Sequence, residues 1–352
     1  MLKSNDNDDI IYLGNDGKSS SIYSGDSLPV FAVLVQRERI CVMPTNVHLN
    51  NARDAKNDEF YTQFTDVAKE LTHYKMHFKG KIVFCNCDTT ESAFWKYFHL
   101  NFAKLGLKKL ISTHYDRKEV TYKMEYTGGD DNDIEAGVRT PLESNGDFRS
   151  QECLNLLDEC DIVVTNPPFS LFLVYIRTLI DYKKKFIIIG NRNALGNNVI
   201  FDLIKNDKVW VGFSSTHHMF FEVSKWYAEQ LKSSSDRKEG HGQSYLIANG
   251  KVMAEVNACW YTNLDISKRH ERMILRKAYN EKEFLKYDNY EAIDVSKTSN
   301  IPLDHNGVMG VPITFLEKYN PEQFEIIGKN GTLKINGKNI YTRILIRKKV
   351  GI

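Results

Sequence analysis

The sequence predicts an α/β protein built on a doubly wound, mainly parallel sheet, followed by a smaller, mixed and strand-rich carboxyl portion. Three observations carry this reading. Short β-branched apolar runs alternate with helix-length amphipathic segments between about residues 80 and 190, the pattern of a parallel sheet covered on both faces. One such run, Cys160-Asp161-Ile162-Val163-Val164-Thr165, stops at Asn166-Pro167-Pro168-Phe169, where two prolines end a strand rigidly at its carboxyl end. Beyond about residue 225 the alternation gives way to hairpin signals, with Asn249-Gly250 and Asn336-Gly337 each between strand-like runs.

Taken in order, residues 1–52 form an amino-terminal extension. Its apolar runs Val30-Phe31-Ala32-Val33-Leu34-Val35 and Ile40-Cys41-Val42-Met43 flank Arg37-Glu38-Arg39 and predict a small β-hairpin. Ile82-Val83-Phe84 predicts the first strand of the sheet. Phe94, Trp95, Phe98 and Phe102 then recur at helical spacing over 90–105, with Gly106 as the stop. Residues 107–113 predict the second strand, and the polar stretch 130–144 a surface insertion. A strand over 158–165, a helix over 171–182 and a strand over 185–189 follow. Residues 53–225 make one domain and 226–352 a second, the latter opening on a polar loop over 232–243.

Composition bounds the function. With 352 residues, 26% charged and 42% hydrophobic, the chain has ample length for a core. Its formal charge of +2 demands no polyanion, so a nucleic-acid enzyme of this balance must gather its basic residues on one face. No apolar stretch approaches ~20 residues, and the acidic start with Asp6, Asp8 and Asp9 does not read as a secretory signal, so a cytoplasmic protein is expected. Six scattered cysteines make no disulfide framework. Cys85-Asn86-Cys87 lacks a second ligand pair, and His217-His218 lacks an acidic or Cys partner, so no metal is expected.

Open α/β sheets bind ligands beyond the carboxyl ends of their strands. An Asn held there, followed by prolines and an aromatic ring, suits one task. The Asn166 side-chain carbonyl and the Pro167 backbone carbonyl can both accept hydrogen bonds from an exocyclic amine, drawing its lone pair out of conjugation, while Phe169 stacks on the ring. A proline-rich turn after a core strand is the plain alternative.

Asn166-Pro167-Pro168-Phe169 resembles the catalytic tetrapeptide of amino-methyltransferases that use S-adenosylmethionine. Further blocks sharpen the likeness, among them Asp58-Glu59-Phe60-Tyr61-Thr62-Gln63, Val83-Phe84-Cys85-Asn86-Cys87-Asp88, Gly146-Asp147-Phe148-Arg149-Ser150 and Gly307-Val308-Met309-Gly310-Val311-Pro312. In this order, over about residues 53 to 328, the chain resembles the EcoRI-type adenine-specific DNA methyltransferases, in the γ arrangement of motifs. The resemblance implies an S-adenosylmethionine-binding catalytic domain over 53–225 and a target-recognition domain over 226–352. It implies cofactor roles for Phe60, Tyr61 and Thr62 over the methionine end, and for Cys85, Asn86, Cys87 and Asp88 in place of the usual glycine-rich turn. Asp147 would accept from the donor's adenine amine, with Phe148 against that ring. Asp88 as a helix cap, and residues 58–63 as a helix start, are the structural alternatives. An acid for the ribose is expected near His114-Tyr115-Asp116 and is not assigned.

An amine inside a duplex is out of reach, so such an enzyme turns the base out. Phe169 supplies one face of the stack, and Phe221 or Phe220 the other; strand alternation sends these two to opposite faces, and Phe221 is favoured. Arg192 and Asn193, beyond the strand over 185–189, point to DNA contact. So do Lys268, Arg269 and Arg272, which with Arg276 and Lys277 are spaced as along a helix, where a solvated face is the alternative. The implied protein is a monomeric modification enzyme acting on double-stranded DNA beside a restriction endonuclease, without a stable complex between them. A solitary methyltransferase, a protein-glutamine or RNA amino-methyltransferase, and a DNA-binding subunit with a relic pocket are its rivals.

Overall fold

Short, fully buried strands organise the molecule. The computed structural model describes residues 61–115, 120–214, 219–223, 227–229, 245–248 and 250–349. The amino-terminal hairpin, Phe60, Asp116, His217-His218 and the loop over 232–243 lie outside the described residues. β1 (Ile82–Cys85) and β5 (Ile162–Thr165) are buried at every position, as apolar runs are when covered on both faces. With β2 (Lys109–His114) and β6 (Lys185–Asn191) they pair in parallel, in the order β2-β1-β5-β6. Antiparallel strands extend both edges. β3 (Tyr122–Tyr126) and β4 (Val138–Pro141) lie beyond β2, and β11 (Ala258–Thr262) and β7 (Trp210–Val211) lie beyond β6. The parallel centre of the expected sheet is present, but the expectation of a mainly parallel sheet needs correction: three parallel pairings at the centre are outnumbered by four antiparallel ones at the edges. A strand from beyond residue 225, β11, is woven into it.

Alternation along the strands feeds two cores. Val83, Cys85, Val164, Ile187 and Ile189 face a cluster with Trp95, Phe98 and Phe221. Ile82, Phe84, Val163, Phe186 and Ile188 face the opposite one, with Leu156, Ile176 and Phe201. The covering helices begin with α1 (Phe64–Leu71) and the single turn α2 (Lys75–Phe78). The expected helix over 90–105 breaks at Asn101 into α3 (Ala93–Leu100), capped by the Ser92 hydroxyl, and α4 (Phe102–Leu105), closed by Gly106 at φ 63°. α5 (Gln151–Glu159), α6 (Phe172–Asp181) and α7 (Asn198–Lys205) follow, α5 capped by Ser150 and α7 by Asn197.

Two further expectations need correction. The polar stretch 130–144 is not merely an insertion: it carries β4, paired with β3. Its residues Val138, Arg139 and Pro141 are exposed, so this edge strand has no apolar run to announce it. The basic residues 268–277 do not share a helix. α8 (Ser267–His270) is a single turn, and the chain then extends. There the Gln323 side chain bonds Met273 at both its N–H (2.7 Å) and its carbonyl (2.8 Å), while Asn320 Nδ2 donates to Glu271 O (3.2 Å). Tertiary hydrogen bonds take the place of helical ones.

The strand-rich expectation for the carboxyl portion holds. β8 (Met219–Glu222), β10 (Lys251–Val256) and β9 (Tyr245–Ala248) form an antiparallel sheet, with Ala248 paired to Lys251; Asn249 of the expected turn lies outside the described residues. A second sheet orders β12 (Lys286–Tyr287), β13 (Tyr290–Asp294), β14 (Met309–Val311), β18 (Arg343–Lys348) and β15 (Phe324–Asn330). The hairpin β16 (Lys334–Ile335) and β17 (Lys338–Asn339) turns on Asn336 and Gly337, at φ 50° and 75°, as a two-residue turn with positive φ at both positions. Phe315, Phe324, Ile344 and Ile346 share the cluster of Phe186 and Ile188, so this sheet packs into the same core as α5 to α7.

One contact in that core tests the packing. A Cβ at Gly190 on β6 would stand 2.3 Å from the Phe172 ring of α6, and Phe172 is buried. Gly190→Ala should therefore cost about 1–3 kcal/mol, by overpacking. A chemical denaturation series checks this. Adding Phe172→Leu should return part of the loss; a silent Gly190→Ala would refute the close approach.

Candidate active site at the strand ends

β1 pairs with β2 on one side and β5 on the other, so the chain order reverses there and leaves a crevice at the carboxyl ends. The turn after β1 fills its rim. Cys87 sits at φ 61°, the left-handed region where glycine is usual, and so does the work of the missing glycine-rich turn. Its N–H donates to Thr113 Oγ1 (3.1 Å), and that hydroxyl donates to Asn86 Oδ1 (3.0 Å). The end of β2 is thus tied to the turn after β1.

β5 is tied to the same turn by Thr165. Its hydroxyl oxygen stands 2.8 Å from the Asn86 carbonyl oxygen and 2.7 Å from Asp88 Oδ2. A hydroxyl has one hydrogen, and it cannot serve two acceptors fully. The network closes when Asp88 carries a proton and donates to Thr165, while Thr165 donates to Asn86. In agreement, burial pushes the Asp88 carboxyl up to about 7, against the opposing pull of the Thr165 and Ser92 hydroxyls.

The third piece arrives from β4. Gly146 stands at φ 72°, and a Cβ there would be 2.4 Å from the His114 carbonyl oxygen, so only glycine lets this loop close on the end of β2. Cys87 Sγ donates to Gly146 O at 3.7 Å, which joins the Asn86-Cys87-Asp88 and Asp147-Phe148 blocks. Asp147 accepts three hydrogen bonds from Arg149, through its backbone N–H (2.9 Å), Nε (2.8 Å) and a terminal nitrogen (2.6 Å). Phe148 is buried, edge-on to Tyr175 at 4.9 Å.

Directly after Thr165, Asn166 is half-buried, Pro167 buried and Pro168 exposed. Phe169 opens a 3₁₀ turn, Phe169–Leu171, that runs into α6. Its ring meets Phe221 edge-on, with centroids 6.4 Å apart at 88°. Phe221 is fully buried and Phe220 half-buried, the two facing opposite ways as strand alternation requires. β8 also meets the amino-terminal motif: Tyr61 N donates to Glu222 O (3.0 Å) and Glu222 N to Tyr61 O (3.1 Å). Thr62 follows, and Gln63 stands at the N-cap position of α1 without a side-chain cap, its amide donating instead to Tyr61 O (3.3 Å). The structure therefore links Tyr61 through β8 to the Phe221–Phe169 ring contact, and links Asn86 and Asp88 through Thr165 to β5 and through Cys87 to the loop that carries Asp147.

The basic residues divide. Lys268 Nζ donates to the carbonyls of Phe213 (2.5 Å) and Gly212 (3.5 Å), and Arg269 pairs with Asp207 (2.6 Å) while lying on the Trp210 ring. Both hold the scaffold together. Arg192 meets Glu317 at 3.4 Å, and Asn193 Oδ1 accepts from Asn257 (3.0 Å), each beyond the carboxyl end of β6. Arg272 is exposed. Thr113, Thr165 and Glu70 were not singled out in the sequence; the first two stand at predicted strand ends, and a hydroxyl residue at that position was the available signal. The described cysteines Cys85, Cys87, Cys153, Cys160 and Cys259 are free thiols. Among the described residues no His/Cys/Asp/Glu group is arranged to hold a metal, and no helix is long and apolar enough to cross a membrane.

Asp88 gives a test with a definite sign. A carboxyl whose pKa rises on folding, here from 3.8 to about 7, binds its proton more tightly folded than unfolded, so stability falls as pH climbs through that window. Asp88→Asn removes the penalty, and its amide can donate to Thr165 in the proton's place. The variant should gain nothing near pH 4, gain progressively to pH 7, and reach about 1–2 kcal/mol above it, the site being partly hydrated. Thermal melts across that range check it, and a pH-independent gain would contradict the assignment.

A sequence model described as "Adenine-specific methyltransferase EcoRI" matches residues 48–349. The chain is similar to the Type II methyltransferase M.EcoRI of Escherichia coli, 44% identical over 326 residues, which span 87% of this chain and 97% of that protein. It is 37% identical over 329 residues to the Type II methyltransferase M.MgeORF184P of Mycoplasma genitalium, across 86% of this chain and 99% of the relative. M.MpnI of Mycoplasma pneumoniae, another Type II methyltransferase, is 36% identical over 330 residues, across 87% and 99%. No solved structure matches the chain. With the family model matched over most of the chain and its relatives matched almost end to end, the protein belongs to the EcoRI family of adenine-specific methyltransferases.

Proposed function

We propose that this protein transfers a methyl group from S-adenosylmethionine to the exocyclic N6 amine of an adenine turned out of double-stranded DNA. The observation that carries this reading is the Thr165 hydroxyl, which stands within hydrogen-bond distance of both Asn86 and Asp88 and so fixes Asn166 beside the turn after β1. A reacting amine and a bound donor would meet across that distance.

The crevice suits the donor. It lies at the strand-order reversal, and the left-handed Cys87 lets the backbone come close, as a glycine would. S-adenosylmethionine, when bound, supplies an activated methyl group. The chain does the rest by positioning and electrostatics. Asn166 Oδ1 and Pro167 O accept from the target amine and oppose the positive charge that grows on it. Phe169 packs on the base, with Phe221 behind it. Asp147 holds the donor's adenine amine, Asp88 lies against the donor, and Tyr61 and Thr62 cover its methionine end. In-line transfer needs no covalent intermediate, so the cysteines serve as packed thiols.

Residues 226–352 carry target recognition, with β11 lent to the central sheet. Arg192 and Asn193 at the end of β6, and exposed Arg272, face the nucleic acid, while Lys268 and Arg269 brace the scaffold beneath. The protein acts as a cytoplasmic monomer, the modification half of a restriction–modification pair, without a stable complex with the endonuclease.

Incubating DNA with the protein and labelled donor, then sequencing for modified adenine, tests the activity. Methyl groups appearing on RNA or on protein glutamine instead would select the rival substrates. Asn166→Ala should lower kcat at least ~100-fold while leaving donor affinity within about twofold, since the acceptor acts on the transition state. Asp147→Ala should weaken donor binding ~10-fold or more in equilibrium dialysis, the loss of a charged hydrogen bond.

Base extrusion has its own readout. 2-Aminopurine at the target position should brighten on binding, as the probe leaves the quenching stack. Phe169→Ala should brighten it further and slow methylation, because stacking worth ~1–3 kcal/mol is lost. A probe dark in both proteins would rule out flipping by this chain.

A further inference from the structure

Glu70 on α1 is a wholly buried carboxylate outside the proposed reaction centre. Its Oε1 accepts from the Tyr74 hydroxyl (2.7 Å) and the Phe213 N–H (2.7 Å), and its Oε2 from the Ser214 N–H (2.6 Å). Two of these donors belong to the turn after β7, far away in sequence. The fit is close: a Cβ at Gly212 would stand 2.4 Å from Glu70 Oε1 and 2.5 Å from Trp260 Cβ. His73, one turn along from Glu70, stacks on the Phe213 ring at 3.3 Å and 12°. From the other side Lys268 Nζ donates to Phe213 O (2.5 Å). A buried charge is tolerated only when so many donors meet it.

The next described strand in the chain after the turn that Glu70 grips is β8, which carries Phe220 and Phe221. The far end of β8 is held by the same amino-terminal segment, through the Tyr61–Glu222 backbone pair. Residues 61–74 thus bond both to the turn after β7 and to β8. One end of that segment bears the motif assigned to the donor; β8 bears the ring against Phe169.

We propose that Glu70 is a positioning residue that couples donor binding to capture of the turned-out base. Through its bonds to Phe213 and Ser214, ordering Tyr61 and Thr62 over the donor also places β8 and its phenylalanines. Reciprocally, a base seated against Phe169 favours the closed arrangement over the donor. This rests on the site assignments above, and it would make Glu70 a residue that touches neither substrate yet sets how each affects the other.

The test measures DNA affinity by fluorescence anisotropy with and without saturating S-adenosylhomocysteine, using the full-length protein and its methylated target sequence. Wild type should bind its duplex ~10-fold more tightly with the nucleoside present, within the usual range of such couplings. Glu70→Gln keeps the shape but turns one acceptor oxygen into a donor facing a backbone N–H. Its coupling should fall to about twofold or less, and its kcat ~10–100-fold, with donor KM changing less than ~3-fold, as expected when geometry alone is lost. Should Glu70→Gln not fold, Glu70→Asp, which keeps the charge but withdraws the oxygens, is read in the same way. Val67→Ala, buried on the same helix but making none of the bonds to the Glu70 carboxylate, controls for simple destabilisation and should keep the coupling. Coupling unchanged in the Glu70 variants, lost equally in Val67→Ala, or absent from an active wild type would overturn the proposal alone. A wild type that methylates no DNA adenine would overturn the reading beneath it.

Discussion

The candidate site depends on one hydroxyl hydrogen. Thr165 closes β5, and its oxygen lies within hydrogen-bond reach of both Asn86 and Asp88. Because β1 and β5 are buried on both faces and paired in parallel, a one-residue slip would exchange side chains between two differently packed cores. The hydroxyl converts that register into a fixed offset between the turn after β1 and the Asn166 turn. The hydroxyl's one hydrogen cannot serve both acceptors, and burial raises the Asp88 carboxyl to about 7, which favours the protonated form that supplies a second hydrogen to the network. Cys87 and Gly146, both with positive φ, then bring the remaining loops against this anchor. Backbone strain at Cys87 and close approach at Gly146 are both concentrated where the ligand would sit.

A second buried carboxylate organises the other rim. Glu70 gathers three donors in a place where its charge is shielded from water, and the consequence is mechanical. Segments separated by about 140 residues become one body, so the amino-terminal motif and the aromatic strand β8 share a position in space. The internal use of Lys268 fits this picture. Its ammonium reaches the same turn that Glu70 holds, so a cation that composition would assign to DNA is needed to close the scaffold.

Much of the site was legible in the chain. Asn166-Pro167-Pro168-Phe169 announced itself because two prolines after a β-branched run admit few other readings. The parallel core was legible for the same reason: β1, β5 and β6 are short apolar runs flanked by amphipathic helices. Edge strand β4 was not, since Val138-Arg139-Thr140-Pro141 buries almost nothing and has no hydrophobic period to read. The helix expected through Lys268 and Arg272 failed because Gln323 and Asn320, some fifty residues on, compete for its backbone hydrogen bonds. Local propensity cannot see such partners.

By itself the sequence determined which strand ends the motifs occupy, because apolar periodicity, proline and the motif order are local properties. Only the tertiary structure decided what their residues share. Glu70 reads as an ordinary helix residue, Thr165 as the last position of a strand, and Phe221 as half of an aromatic pair. Their roles come from neighbours distant in the chain: the backbone of Phe213 and Ser214, the oxygens of Asn86 and Asp88, and the ring of Phe169. Hydrogen bonds and ring contacts act over a few ångströms. The proximity they need is set by packing the two sheet faces, which no single stretch of sequence contains.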